Sequence, residues 1–292
     1  MYHYAVSIYD KMVTDPEFRR TLLDSRMRRI EYSCDGSVAP ALAAVRQQAL
    51  LDLRDEGLVE ISSIHIPFHP FLDWPYASPV EAVRRQAAKK LLDWIKATKP
   101  CGCRLYTLHG SGEPIADVDR KATIASLRRT LDEIVPFFAE IGASVNVEVL
   151  PRSCIGRVPE DLEEVFDGYP VETVGVCFDV NHLCGCPERL PEYITRLAPR
   201  LKSFHLSDYD GIDECHWYPG LGVIDWTAVM AAIKAVPQEL LLIFESAAFL
   251  HTQNPDRRRL AYRFIFENGV RNACFCEHAA EIERMRRDFV LP

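Results

Sequence analysis

Eight short apolar runs, each followed by a segment of helical period, constrain this chain more than any other feature. The runs are Ala5–Ile8, Arg29–Tyr32, Ile61–Ile66, Arg104–Leu108, Ser144–Val149, Val174–Phe178, Leu201–Leu206 and Leu240–Phe244. Rich in Val, Ile, Leu and Phe, they predict strands. The periodicity predicts helices over roughly Asp15–Ser25, Ala41–Glu56, Pro79–Thr98, Asp119–Ile141, Pro159–Asp167, Pro187–Ala198 and Asp225–Val236. A C-terminal helical pattern runs from about Pro255 to Arg287. Strands alternating with helices imply a parallel sheet. Eight such units in 292 residues predict an α/β fold of one domain over residues 1–292, a (β/α)8 barrel. A doubly wound open sheet would need a Gly-rich phosphate turn after the first strand. Ser7-Ile8-Tyr9-Asp10-Lys11 offers none.

Side chains able to bind metals or move protons fall where such a barrel would gather them. His65 lies near the end of the third run, and His109 follows the fourth. Glu148 closes the fifth, Asp179 and His182 follow the sixth, and Glu245 ends the eighth. The seventh run carries His205 and opens into a polar loop with Asp208, Asp210, Asp213, Glu214 and His216, then a Pro-Gly-Leu-Gly turn, Pro219–Gly222. Strand C-terminal ends converge on one face of a barrel, the face that bears the chemistry. Singly, a His or Asp just past a strand is a cap or turn former. Glu148 and Glu245 resist that reading, because each ends a run that should be buried and a carboxylate there needs a cation or partner.

Two glutamates, an aspartate and a histidine (Glu148, Asp179, His205 and Glu245) make an oxygen-rich set suited to Mn²⁺, Mg²⁺, Co²⁺ or Zn²⁺ with positions open for substrate. A sugar carbonyl and its neighbouring hydroxyl can occupy such positions. The ion then makes the adjacent C–H more acidic and stabilises an enediolate, while one carboxylate removes the proton and a second returns it. Glu148 and Glu245 are the candidates for that pair.

The segments VNVEVLP, CFDVNH, FHLSDYDG, PGLGVIDW and IFES resemble the xylose isomerase-like barrel superfamily, in its sugar phosphate isomerase/epimerase branch, which includes ketose 3-epimerases and hydroxypyruvate isomerases. The resemblance runs from SIYD to IFES. It implies one divalent metal on Glu148, Asp179, His205 and Glu245, proton exchange by the two glutamates, and a substrate oxygen held by His182. It also implies a sugar or sugar-phosphate substrate and leaves a homo-oligomer open. A second resemblance is to the zinc-dependent apurinic-site endonucleases of the endonuclease IV type, which use three zincs. Their ligand motifs are matched by His65, His109, Glu148, Asp179, His182, His205, His216 and Glu245. Their remaining Asp is replaced here by Glu214, one methylene longer. Simple epimerases often carry an Arg near His216, which makes His216 a candidate for substrate as well as metal. The alternative reading is therefore a multi-zinc phosphodiesterase, with His65, His109, His182, Glu214 and His216 as ligands of further ions. From outside the enzymes, a non-catalytic sugar-binding barrel remains, disfavoured by the cost of keeping carboxylates at strand ends without a cation.

Composition narrows the partners. With 48% hydrophobic and 26% charged residues the chain has an ordinary globular balance, and no apolar run approaches the ~18 residues of a membrane span. The start, MYHYAVSIYDK, lacks a secretory pattern, so a cytoplasmic protein is expected. A net charge of −8 disfavours a broad nucleic-acid surface. The basic clusters Arg26–Arg29, Arg84-Arg85 with Lys89-Lys90, Arg128-Arg129 and Arg257–Arg259 read as solvated helix faces. Ten cysteines should be reduced thiols. The pairs Cys101/Cys103, Cys184/Cys186 and Cys274/Cys276 depart from the usual zinc spacing and read as incidental. Phe68, Phe71, Trp74 and Tyr76, with the unassigned His69 beside them, are expected to wall the pocket or face a partner subunit. Arg152 and Arg157 are read as solvated loop charges or as contacts to a substrate anion, and Asp225 as a helix N-cap before a packed Trp226.

Overall fold

A computed structural model describes residues 2–68, 74–183, 185–246 and 255–288, with the side chains of 255–259 and 286–288 left aside. His69, Phe71 and Cys184 lie outside the described residues, and the side chains of Arg257–Arg259 are likewise undescribed. Eight parallel strands close into a barrel in sequence order: β1 (Tyr2–Tyr9), β2 (Arg29–Ser33), β3 (Glu60–His65), β4 (Leu105–Leu108), β5 (Ser144–Glu148), β6 (Val174–Asp179), β7 (Leu201–Leu206) and β8 (Leu240–Phe244), with β8 pairing back onto β1. Around it lie α1 (Pro16–Asp24), α2 (Pro40–Asp55), α3 (Glu81–Ala97), α4 (Arg120–Ile141), α5 (Pro159–Phe166), α6 (Leu190–Leu197), α7 (Trp226–Ala235), α8 (Pro255–Glu277) and α9 (Ala279–Asp288).

The helices form because their apolar positions repeat on one face. In α6, Leu190, Tyr193, Ile194 and Leu197 are all buried, a spacing that puts one stripe against the barrel. Each fully buried Leu or Ile contributes about 1.5–3 kcal/mol. Asp225 caps α7 by accepting the Ala228 amide at 3.0 Å, as the sequence predicts, and Asp15 likewise caps α1 by accepting the Glu17 amide. The expected C-terminal helix is instead two, meeting at His278, whose amide still bonds back to Cys274 while its ring bonds Glu281. Arg84 departs from the solvated reading. It is 2% exposed on α3, bonded to Glu81 and Glu133 at 2.8 Å and to the Thr130 hydroxyl at 3.1 Å, the partners a buried guanidinium requires.

Inside the barrel the filling changes with height. Ala5, Leu241 and Ile243, with Leu105 against them, form a small apolar cluster separate from the main core between strands and helices. Further polar side chains, Glu31, Ser63, Thr107, Asn146 and Ser203, are fully buried. Strand alternation then places Glu245 two residues beyond Ile243, Glu148 two beyond Asn146 and His205 two beyond Ser203. The polar filling leads directly to the C-terminal face.

Candidate metal centre

His65, His109, Glu148, His182, Glu214, His216 and Glu245 line one pocket of about 310 Å³ at that face, and Asp179 and His205 are buried beside Glu148 and Glu245. Three groups of side chains converge there with ligand atoms in mutual reach: His65 with His109 and Glu148; Glu148 with Asp179, His205 and Glu245; and Asp179 with His182 and His216. Glu148 is common to the first two. Its Oε2 lies 3.2 Å from His65 Nε2 and 3.0 Å from His109 Nε2, while Oε1 lies 3.0 Å from His205 Nδ1. Asp179 links the second and third groups. Its Oδ1 accepts the Asn181 amide at 2.7 Å, and Oδ2 stands 3.4 Å from His182 Nε2 and 3.8 Å from His205 Nδ1. Among the described residues, none of these groups contains a cysteine.

The donor set fits a divalent cation. Asp179 Oδ2 is fully buried and has no hydrogen-bond partner, an arrangement that needs a positive charge nearby. His65 and His182 donate from Nδ1 to the carbonyls of Ile66 (2.9 Å) and Val149 (2.8 Å), which turns each Nε2 toward the carboxylates. Glu214 reaches despite its extra methylene. Oε2 lies 3.0 Å from His182 Nε2 and 3.7 Å from His216 Nε2, while Oε1 accepts from Arg152 at 2.7 Å. Arg152, at φ 52°, also binds Glu113 and Asp213. It is exposed, as the loop-charge reading expects, and its guanidinium bridges three carboxylates at the pocket mouth. Arg157 pairs with Asp117 at the surface.

The aromatic segment divides. Phe68 lines the pocket and stacks on His109 with ring centres 4.0 Å apart. Trp74 and Tyr76 are buried instead, donating to the carbonyls of Gly36 and His109, with Lys90 over the indole. Asp208, which resembled a ligand in sequence, organises the long loop after β7. Its carboxylate accepts the amides of Tyr209, Gly220 and Ile224 and the Trp226 indole N–H at 2.8–3.2 Å. A Cβ at Gly222 would overlap that carboxylate and the Tyr209 carbonyl, so only glycine allows the close approach. Paired backbone bonds between Asp208 and Trp217 carry His216 back over the pocket at φ 50°. Asp208→Ala leaves these donors without their acceptor. It is expected to cost about 3 kcal/mol or more, read by denaturant unfolding of the metal-free chain. A loss below about 1 kcal/mol would contradict this role.

The charges couple strongly. Burial pushes Asp179 up to about 6. Burial opposes ionisation of Glu148 too, but His205 and His109 outweigh it and hold the group well below the usual carboxylate range. Burial disfavours the charged rings of His182 and His216. The Asp179 charge and a Glu214 hydrogen bond nevertheless raise His182 to about 10, and Glu214 with Glu245 raise His216 to about 9. His65 is raised by Glu148 against burial, whereas burial wins at the stacked His109 and lowers it.

These shifts give a pH dependence of definite sign. An unfolded histidine titrates near 6.5, so the stabilisation from protonated His182 and His216 is complete below about 6.5. It is lost as pH rises through 9 to 10. Chelator-treated protein should therefore show a Tm that falls from pH 7 to pH 10. Metal affinity should rise over the same range, because ligand nitrogens must be deprotonated. A flat Tm profile would refute the assignment of these shifts.

Comparison with known proteins agrees with this architecture. A family model for xylose isomerase-like TIM barrels matches residues 27–264. An uncharacterized protein of Methanocaldococcus jannaschii is 26% identical over 221 residues, covering 74% of this chain and 73% of its own. Among solved structures, a D-tagatose 3-epimerase-like protein superposes with TM-score 0.71 at 21% identity, covering 92% of this chain and 97% of its own. The IolI protein, solved with a zinc atom, superposes with TM-score 0.66 at 13% identity, covering 94% and 98%. At these identities the structural likeness is one of fold. No helix among the described residues is long and apolar enough to cross a membrane.

Proposed function

The chain belongs to the xylose isomerase-like TIM barrel family, and from that premise we propose a divalent-metal-dependent isomerase or epimerase of a sugar or sugar phosphate. The observation that carries the reading is the placing of two carboxylates around one imidazole nitrogen. Glu148 Oε1 and Glu245 Oε2 lie 3.0 and 3.1 Å from His205 Nδ1 in a pocket of monosaccharide scale. Glu148, Asp179, His205 and Glu245 would hold the ion. When bound, it supplies Lewis-acid polarisation of the substrate carbonyl and stabilises the enediolate. Glu148 and Glu245 exchange the proton at the adjacent carbon, one removing and the other returning it. His182, anchored through Val149, orients a substrate oxygen, and Phe68 shields the reacting carbon from water. The test is deuterium incorporation at C–H bonds of ketoses in D₂O by the metal-loaded protein. Absence of exchange across ketoses of different length and phosphorylation would overturn the reading.

A second reading rests on its own observation. The two oxygens of Glu148 face two different ligand groups, and Asp179 joins a third. Clustered ions suit hydrolysis of a phosphodiester. Two or three zinc equivalents per chain, with cleavage of an abasic oligonucleotide, would favour this second reading. One equivalent with C–H exchange favours the first.

A further inference from the structure

The histidines of the pocket are not held in the same way. His65, His182 and His216 each direct Nδ1 to a backbone carbonyl, that of Ile66, Val149 or Glu245. A carbonyl only accepts, so Nδ1 carries the proton and Nε2 is left for the carboxylate side. His205 is turned the other way. Nδ1 faces Glu148 and Glu245, while Nε2 points down into the barrel and lies 3.0 Å from Glu31 Oε1. Both residues are fully buried, and the two atoms face each other at that distance with neither completing a hydrogen bond, so each is left for the other to satisfy. The second oxygen of Glu31 accepts from the Ser63 hydroxyl at 2.8 Å and the Thr107 hydroxyl at 3.3 Å. Three neighbouring strands thus build a seat for one carboxylate beneath one imidazole.

We propose that Glu31 is a positioning residue, which accepts a hydrogen bond from Nε2–H of His205 and so commits the Nδ1 lone pair to the metal. The proposal rests on the divalent-metal reading of the pocket. A carbonyl would fix the tautomer equally well. A carboxylate also raises the basicity of the imidazole as a ligand and adds negative charge behind the ion. Burying that charge is costly unless both oxygens are compensated; Ser63 and Thr107 bond one, and the His205 ring stands 3.0 Å from the other. A polar residue kept only for folding would need no imidazole, and the two hydroxyls alone would satisfy a neutral side chain.

The test measures Mn²⁺ and Zn²⁺ affinity by chelator competition for the wild type, Glu31→Gln and Glu31→Ala. Circular dichroism and thermal unfolding of each metal-free protein accompany it. Glu31→Gln keeps the shape and an acceptor oxygen but not the charge, and should bind about tenfold more weakly. Glu31→Ala frees the ring and should lose about 10–100-fold, with an altered Co²⁺ absorption spectrum in any metal it retains. Should the Ala variant not fold, the isosteric Gln variant decides by the same affinity. A merely structural role would lower Tm while leaving the affinity and Co²⁺ spectrum of the folded protein unchanged, and that result overturns the proposal. If the wild type binds no ion, the metal reading itself fails, which is a separate and distinguishable outcome.

Discussion

Glu148→Ala is expected to empty both ligand groups that this residue joins and to reduce turnover by about 10⁴-fold or more. One oxygen faces His65 and His109, the other faces His205, and the side chain is 1% exposed. No other described carboxylate occupies that position between the two groups, so truncation leaves His65 and His109 without their shared carboxylate and His205 with only Glu245 and Asp179. Glu148→Gln separates charge from shape. The amide keeps one acceptor oxygen, but its NH₂ end turns donors toward a histidine or the ion, so binding should fall nearly as far. Elemental analysis after equilibration with each ion, together with the exchange assay, reads both effects. Full metal stoichiometry in Glu148→Ala would remove Glu148 from the centre, and wild-type exchange would remove it from the chemistry.

The strand ends were legible because two rules compound. Alternating apolar runs predict parallel strands, and a barrel brings all their C-terminal ends to one face. His65, Glu148, Asp179, His205 and Glu245 therefore meet although 180 positions separate the first from the last. Glu31 carried the same signal as Glu148, a carboxylate between apolar neighbours in a predicted strand. It sits below the rim, where sequence reasoning looks for core rather than chemistry. Asp208 misled in the opposite direction. Its donors lie 1 to 18 residues onward, and nothing in their spacing reveals that they fold back on one carboxylate. Arg84 was hidden likewise, since the partners Thr130 and Glu133 come from the next helix. The division of the last helix at His278 involves neither Gly nor Pro and leaves no mark in the periodicity.

Glu245→Gln separates the two proton transfers. Glu245 touches the shared group through a single oxygen, 3.1 Å from His205 Nδ1, whereas Glu148 also serves the His65–His109 side. Removing the charge of Glu245 should weaken metal binding less than the loss of Glu148, and interconversion should fall about 10²–10⁴-fold. A two-base reaction makes a sharper demand. With one base gone, the other still exchanges its own proton with solvent. One epimer should therefore keep incorporating deuterium without inverting, while the other should neither exchange nor convert. Which epimer survives assigns Glu148 to one face of the substrate carbon, and the corresponding Glu148 variant, if it can be loaded with metal, should show the opposite preference. Exchange retained equally for both epimers would mean that a single group or a bound water shuttles the proton, and Glu245 would then be a ligand only. Loss of exchange for both, with the metal still in place, would make Glu245 essential to the ion's reactivity rather than the base of one face.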